Sequence, residues 1–353
     1  MQFVLLRPWG IDTHKQCLGI SPVGHGKFIL NVCIVVPSLC NATLAWVGYK
    51  GTISMSVELH CHTVFSVDAY GTPEDLVDVA ADRGVTTLSI TEHDHLGSCQ
   101  RAQSRATQCG IEYLPGIELG ALLDGVELHL LGIGFDPDNS QIKSMVAESF
   151  SKNERYFDLY MPYLPEFGCH FTKEQMAVGL AERYPTHSAP VISQWFARDF
   201  LVDQGVYPDR AAFKAVIKQI EQQIINEQGP QVFKSTLTLE KILKTIQGAG
   251  GVVLLAHVAY YYPTDQTKQI ELIRKGLDMG LDGFELYHPL NVAESHFDVL
   301  IGEAKQIGCV ISGGSDCHNA RIEGSSALNA CNVPEETIAN LKSVLAERQL
   351  ARM

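Results

Sequence analysis

Two short patterns place pairs of metal-ligand side chains on one face of an extended backbone: His60-Cys61-His62 and Asp316-Cys317-His318. Residues two apart on a strand project to the same side, so each pair points one way while Cys61 and Cys317 point the other. More imidazoles and carboxylates stand where apolar segments stop. His93 closes the second such segment, Glu118 the third, His129 the fourth and His257 a later one, while Asp68 lies in the loop just past His62. A lone H-x-H is weak evidence, since a satisfied pair in a core or on a surface explains it. The repetition is harder to dismiss, because burying such groups unpaired costs several kcal/mol each. Metal coordination removes that cost. Mixed imidazole and carboxylate donors suit zinc, manganese or iron, with magnesium possible, and open coordination positions suit hydrolysis.

The elements that must hold these residues alternate between strand and helix. Val57 to His62 reads as a strand, and Thr72-Pro73-Glu74-Asp75 opens a helix with a cap, a first-turn proline and acids at its positive end. Gly84 ends that helix, Val85 to Ile90 is a second strand, and a helix over Cys99 to Gln108 follows. Asp124-Gly125 reads as a turn, putting Glu118 and His129 on neighbouring strands of a hairpin. Residues 137–250 have a helical pattern broken at Pro162, Pro165, Pro185 and Pro208. Strands then recur at Val252 to His257, Gly283 to Tyr287 and Cys309 to Ser312, with helices between them and a closing helix near Glu335 to Glu347. Repeated βα units predict an α/β fold with a mainly parallel sheet or barrel, interrupted by a helical insertion.

Composition bounds the partners. A net charge of −13 argues against a broad grip on duplex nucleic acid, yet leaves room for a small nucleotide or one strand end. The ten cysteines are scattered without a C-x-x-C pair, which reads as reduced thiols in a cytoplasmic protein. Phe28 to Tyr49 carries no charge between Lys27 and Lys50. As a signal or membrane anchor it is weakened by Asn31, Pro37, Ser38 and Asn41 and by its late start. An additional hairpin, or a true start at Met55, are the other readings, and no membrane association is expected. The domains expected are an N-terminal extension over 1–54, a catalytic part over 55–136 and 251–353, and the insertion over 137–250.

Taken in order, the motifs resemble those of the PHP (polymerase and histidinol phosphatase) superfamily. They are Leu59-His60-Cys61-His62-Thr63, Thr91-Glu92-His93-Asp94-His95, Gly116-Ile117-Glu118, His129-Leu130-Leu131-Gly132, Leu255-Ala256-His257 and Gly313-Gly314-Ser315-Asp316-Cys317-His318. The resemblance spans roughly residues 57 to 320, and the insertion is similar to that of the nucleotide phosphoesterase branch. That branch acts on nucleoside 3′,5′-bisphosphates and on short 5′-phosphorylated RNA. The resemblance implies a distorted seven-stranded (β/α) barrel with two or three divalent ions. It implies His60, His62, Glu118 and Asp316 on the first, with Glu118 bridging to a second held by His129 and His257. It implies Asp68, His93 and His318 on a third. The nucleophile implied is a hydroxide activated by the metals, and no side chain is assigned as the acid.

One part of the pattern departs. The branch carries an Arg and His pair beside a Phe-Ala motif in the insertion, where this chain reads Ser193-Gln194-Trp195-Phe196-Ala197-Arg198. Arg183, His187 or Arg198 are the candidate replacements for holding a substrate phosphate. His95 and His288 are further candidates for the pocket wall, as is Glu285. Tyr260-Tyr261-Tyr262 could stack on a base or simply pack. Alternatives are a phosphatase of the histidinol phosphate type, a non-catalytic PHP module, and a C–N hydrolase of the amidohydrolase type. The last needs a bridging lysine where Glu118 stands.

Overall fold

Apolar strands alternating with amphipathic helices fold into a mixed α/β architecture. The computed structural model describes residues 16–22, 28–36, 43–52 and 56–352, with breaks at 67, 124–125, 184–193, 234–236 and 325–326. The chain divides into two units, Met1–Ser56 and Val57–Met353. In the first, β1 (Gln16–Pro22), β2 (Phe28–Val36) and β3 (Thr43–Thr52) form an antiparallel sheet in that order. The uncharged run therefore supplies strands, and among the described residues no helix is long and apolar enough to cross a membrane. Met55 lies outside the described residues.

The second unit carries the chemistry. Its strands are β4 (Ser56–Glu58), β5 (Val85–Leu88), β6 (Glu112–Tyr113), β7 (Gly116–Leu123), β8 (Val126–Ile133), β9 (Val252–Leu255), β10 (Gly283–Tyr287), β11 (Val310–Gly313) and β12 (Val333–Pro334). They form a five-stranded sheet, β11-β10-β9-β8-β7, and a four-stranded sheet, β12-β4-β5-β6. β9, β10 and β11 pair in parallel, whereas β7 and β8 are the expected antiparallel hairpin, with Gly120 opposite His129. Backbone bonds also run between the sheets. Leu59 N–H donates to Gly313 O (3.0 Å), and Asp316 N–H donates to His60 O (2.8 Å). Glu118 N–H donates to Glu92 O (3.0 Å), while within the four-stranded sheet Ser89 N–H donates to Glu58 O (2.8 Å).

The helices follow their sequence signals. α1 (Pro73–Asp82) starts where Thr72 Oγ1 accepts from Asp75 N–H at 3.1 Å, with Pro73 in the first turn. α1 and α2 (Cys99–Cys109) close one apolar core around Leu76, Val77, Leu88 and Ile90. The insertion comprises α3 (Ser140–Tyr160), α4 (Lys173–Arg183), α5 (Gln194–Asp203) and α6 (Arg210–Gln228), followed by α7 (Leu239–Gly248). Phe157, Leu180, Leu201, Phe213 and Ile220 give it a core of its own. By contrast Ile142 and Met145 of α3, and Ile242 and Ile246 of α7, join the core of the five-stranded sheet. After β9, α8 (Gln266–Asp278), α9 (Pro289–Val292), α10 (Phe297–Ile307) and α11 (Ala339–Ala351) complete the chain.

Two positions differ from expectation. Glu118 and His129 do not end their strands: each lies within the hairpin, Glu118 as the third residue of β7 and His129 as the fourth of β8. The apolar run there is two arms of one hairpin, so the carboxylate sits beside its backbone partners Glu92 and Asp94 instead of at a strand tip.

Candidate metal centre

Alternation along β4 and the residues after it decides the first half of the centre. Val57, Leu59 and Cys61 go to apolar cores, while Glu58, His60 and His62 share the opposite face, and all three are fully buried. Glu58 is the anchor. Its carboxylate accepts from His60 N–H (3.2 Å), Ser315 N–H (2.9 Å) and Asn329 N–H (2.8 Å), which ties the H-x-H segment to the loop carrying Asp316. Burial nevertheless raises the Glu58 carboxyl above its ordinary value. Gly314 completes the junction, because a Cβ there would collide with His60 N and Glu58 Oε1.

Glu118 lies at the middle of the cluster and divides its two oxygens. Oε2 lies 3.0 Å from His60 Nε2, 3.3 Å from His62 Nε2 and 3.3 Å from His93 Nδ1. Oε1 lies 2.8 Å from His129 Nδ1 and 3.6 Å from His257 Nε2. Asp316 Oδ1 stands 3.2 Å from both His60 Nε2 and His62 Nε2. Asp68 faces His93 Nε2 at 3.7 Å and His318 Nε2 at 3.4 Å. Donor atoms thus gather within 4.8 Å of one another in three sets: His60, His62, Glu118 and Asp316; Glu118, His129 and His257; and His62, His93 and His318. His257 reaches its set through a left-handed backbone at φ 32°. Its parity with Leu255, which packs into the sheet core, would otherwise turn it away.

The electrostatics agree with a cation-binding role. Burial would raise the Glu118 carboxyl, yet His93, His60 and His129 hold it well below the usual carboxylate range. Asp316 is treated alike: burial opposes ionisation, and His60, His288 and His62 hold its carboxyl low. For His62, burial disfavours charge, but bonds to Asp316 and Glu118 push its imidazole up to about 10. Asp68 Oδ1 is buried with no hydrogen-bond partner, which suits an atom whose counterpart is a cation. Acidic and imidazole donors with two-sided Glu118 fit divalent ions bridged by a carboxylate.

The sequence profile of the PHP domain family matches residues 58–270, more than half of the chain. The chain belongs to the PHP domain family. Among similar proteins, a 5′–3′ exoribonuclease of Haemophilus influenzae is 26% identical over 266 residues, covering 74% of this chain and 89% of that one. A 3′,5′-nucleoside bisphosphate phosphatase of Chromobacterium violaceum is 26% identical over 210 residues, covering 58% of this chain and 68% of its own. A Bifidobacterium adolescentis structure assigned as a metal-dependent phosphoesterase superposes with a TM-score of 0.63 at 23% identity, over 82% of this chain and 96% of that one. At that identity the likeness speaks for the fold. The profile stops before Asp316 and His318, and the fold returns both to the PHP-domain cluster.

A second layer of side chains steers the imidazoles. Glu285, fully buried on β10, lies 2.9 Å from His60 Nδ1 through Oε1 and accepts His257 N–H at 2.8 Å through Oε2. Ser66 Oγ lies 3.0 Å from His62 Nδ1, accepts His93 N–H at 2.9 Å and donates to Glu92 Oε2 at 2.6 Å. Tyr261 OH accepts His129 N–H at 2.7 Å. With each Nδ1 of His60 and His62 so engaged, each Nε2 is turned to Glu118 and Asp316. Glu285, a pocket-wall candidate by sequence, uses both oxygens on His60 and His257 and so acts as a support. Glu58, Ser66 and the role of Glu92 were missed. The one available signal was that Glu58 shares the two-residue period of His60 and His62.

Asp68, expected with His93 and His318, faces both but is not in their set, where His62 stands instead. The remaining candidates also fall outside the donor sets. His288 Nε2 is 3.7 Å from Asp316 Oδ2, while its Nδ1 accepts Leu290 N–H. The His95 ring stacks on Phe65 with centroids 5.2 Å apart and contacts Phe150 at the same separation. Asp94 accepts from Ser149 of α3, which joins it to the insertion. His296, read as a surface residue, meets Gln269 Oε1 at 2.8 Å. Arg183 ends α4, and His187 lies outside the described residues, as do Asp124-Gly125, His14 and His25. Arg198 donates from Nε to Asp199 Oδ1 at 2.8 Å and lies 3.4 Å from Tyr70 OH. Tyr70 N–H in turn donates to His318 O at 2.8 Å, so the Tyr70 side chain spans from the cluster to Arg198.

Proposed function

We infer that this PHP-domain chain is a metal-dependent phosphoesterase that hydrolyses phosphate esters of nucleotides, releasing phosphate from nucleoside 3′,5′-bisphosphates or 5′-mononucleotides from short 5′-phosphorylated RNA. The observation that carries the reading is Glu118, whose two oxygens face separate histidine groups as a bridging carboxylate requires. The named activities of the Haemophilus and Chromobacterium relatives support the substrate class. In this reading His60, His62, Glu118 and Asp316 hold one divalent ion, and Glu118, His129 and His257 a second. Asp68, His93 and His318 hold a third, with manganese, zinc, iron or magnesium as the ions. Divalent ions there lower the pKa of water and offset charge on phosphoryl oxygens.

The chain's own residues do the positioning. Glu285 and Ser66 fix the rings of His60 and His62, so that donor atoms need no rearrangement when an ion arrives. Arg198, aimed by Asp199 and Tyr70, neutralises a substrate phosphate at the mouth. Tyr260, 59% exposed with its ring 5.2 Å from that of His257, offers a face for a base. Arg183, His187, His95 and His288 complete the candidate wall. The backbone bonds between the two sheets support a distorted seven-stranded barrel of β4, β5 and β7 to β11. A helical cap over 137–250 and a separate extension over 1–54 complete the domain plan. Free buried thiols such as Cys61 and Cys317 fit a cytoplasmic setting.

The test, with added manganese, is phosphate release from nucleoside 3′,5′-bisphosphates and histidinol phosphate and mononucleotide release from 5′-phosphorylated oligoribonucleotides, for wild type and His60→Ala. Nucleotide turnover that collapses in the variant is expected. Release from histidinol phosphate alone would overturn the substrate class, and no metal-dependent release from any of them would overturn the activity.

A further inference from the structure

The chain is strongly acidic overall, with a net charge of −13, yet one groove in the insertion gathers cations. Arg198, Arg210, Lys214 and Lys218 line a cavity of about 290 Å³ together with Phe213 and a single acid, Glu221. Arg210, Lys214 and Lys218 are spaced four residues apart on α6, so they form a row on one helix face with steps of about 6 Å. Lys214 and Lys218 are exposed. The row begins in the first turn of a 19-residue helix, where no acid offsets the positive end of the macrodipole beyond the capping Asp209. Cations placed there cost stability, typically a few tenths of a kcal/mol each, so helix formation alone does not favour them.

The groove is anchored to the metal centre. Buried Asp199 receives Arg198 Nε at 2.8 Å and Arg210 at 3.0 Å, and it also accepts from the hydroxyl of Tyr70. Tyr70 follows Asp68 by two residues, and its N–H donates to His318 O. The row of cations is therefore joined, across the length of the Tyr70 side chain, to the backbone that carries Asp68 and pairs with His318, and it runs along α6. A nucleoside bisphosphate has no phosphate to place beyond Arg198. A strand has one at every nucleotide.

We propose that the groove of Arg198, Arg210, Lys214 and Lys218 is a track for the phosphodiester backbone of a single-stranded oligonucleotide whose 5′ end lies at the metal centre. The proposal rests on the phosphoesterase reading and refines it, since the track serves strands and is idle with mononucleotides. Contacts go to phosphates, so the track tolerates any base order.

The experiment compares wild type with Lys214→Ala/Lys218→Ala on two substrates, a nucleoside 3′,5′-bisphosphate and a 5′-phosphorylated oligoribonucleotide of about five nucleotides. Both positions are exposed on a helix that alanine favours, so the fold survives the change. KM for the oligonucleotide should rise roughly tenfold, and the slope of log kcat/KM against log salt should fall by about one per lysine. Bisphosphate kinetics should not move. Unchanged oligonucleotide kinetics, or an equal loss on both substrates, would overturn the track. Anisotropy of the same labelled oligonucleotide, without turnover, separates the two readings. Weaker binding by the double variant in a protein that hydrolyses neither substrate would sink the phosphoesterase reading and keep the track, whereas equal binding would sink the track.

Discussion

The metal centre and the insertion groove treat charge in opposite ways. At the centre, buried Glu118 and half-buried Asp316 and Asp68 lie among imidazoles, each with its carboxyl held below its ordinary range against the cost of desolvation. In the groove, Arg210, Lys214 and Lys218 stay in solvent while Arg198 is half-buried, and Asp199, 2% exposed, aims two of the four. The centre is therefore built to keep its geometry before any ligand arrives, and the groove to attract ligand from a distance. Buried polar networks are costly to break, whereas exposed charges are individually cheap. Mutations in the two regions should consequently differ in kind as well as size.

The largest effect should come from Glu118→Gln, which removes the carboxylate shared by both histidine groups. Activity should fall about a thousandfold, with loss of bound metal measured by elemental analysis. Retained metal and near-normal turnover would break the bridging role. Next is Glu285→Gln, which touches no substrate but releases His60. Metal affinity should drop about ten- to a hundredfold by competition with a chelator, with KM for substrate little changed once metal is saturating. A KM effect alone would instead move Glu285 to the pocket wall.

Proton competition sharpens the contrast further. Metal-free His62 keeps its proton up to about 10, so an ion must displace that proton to bind. Apparent metal affinity should rise with pH through the neutral range, by about tenfold per unit for each proton released. Calorimetry in buffers of different ionisation enthalpy counts those protons, and pH-independent affinity would contradict the charged His62. The smallest effect is expected from Arg198→Ala, which should raise KM by about tenfold or less and leave metal content intact. A matching loss of metal would mean that the groove is not separable from the centre.

Much of the centre was legible in the sequence because strand periodicity is local. His60 and His62, like Asp316 and His318, are assigned to one face by spacing alone. The long-range supports were not legible: His60 and Glu285 are 225 residues apart, and nothing local says that their side chains meet. His257 shows the limit of parity, since one left-handed residue reverses the direction that alternation predicts. Glu118 and His129 were placed on the correct hairpin but at its ends, because an apolar run does not mark where a strand begins. The insertion was legible as helices broken by prolines. Its groove was not, because Arg198 of α5 and Arg210 of α6 are brought together on Asp199, a meeting that no local spacing foretells.

Tyr70 belongs to both regions, with its N–H on the carbonyl of His318 and its hydroxyl on Asp199 of α5. Thermodynamic reciprocity follows from that double attachment. Whatever seats α5 more firmly also steadies the loop of Asp68 and the backbone of His318, and the converse holds with the same factor. A strand captured by the insertion and the ion assigned to Asp68, His93 and His318 are thus positive effectors of one another. The ion assigned to that set would then report occupancy on the far side of the mouth.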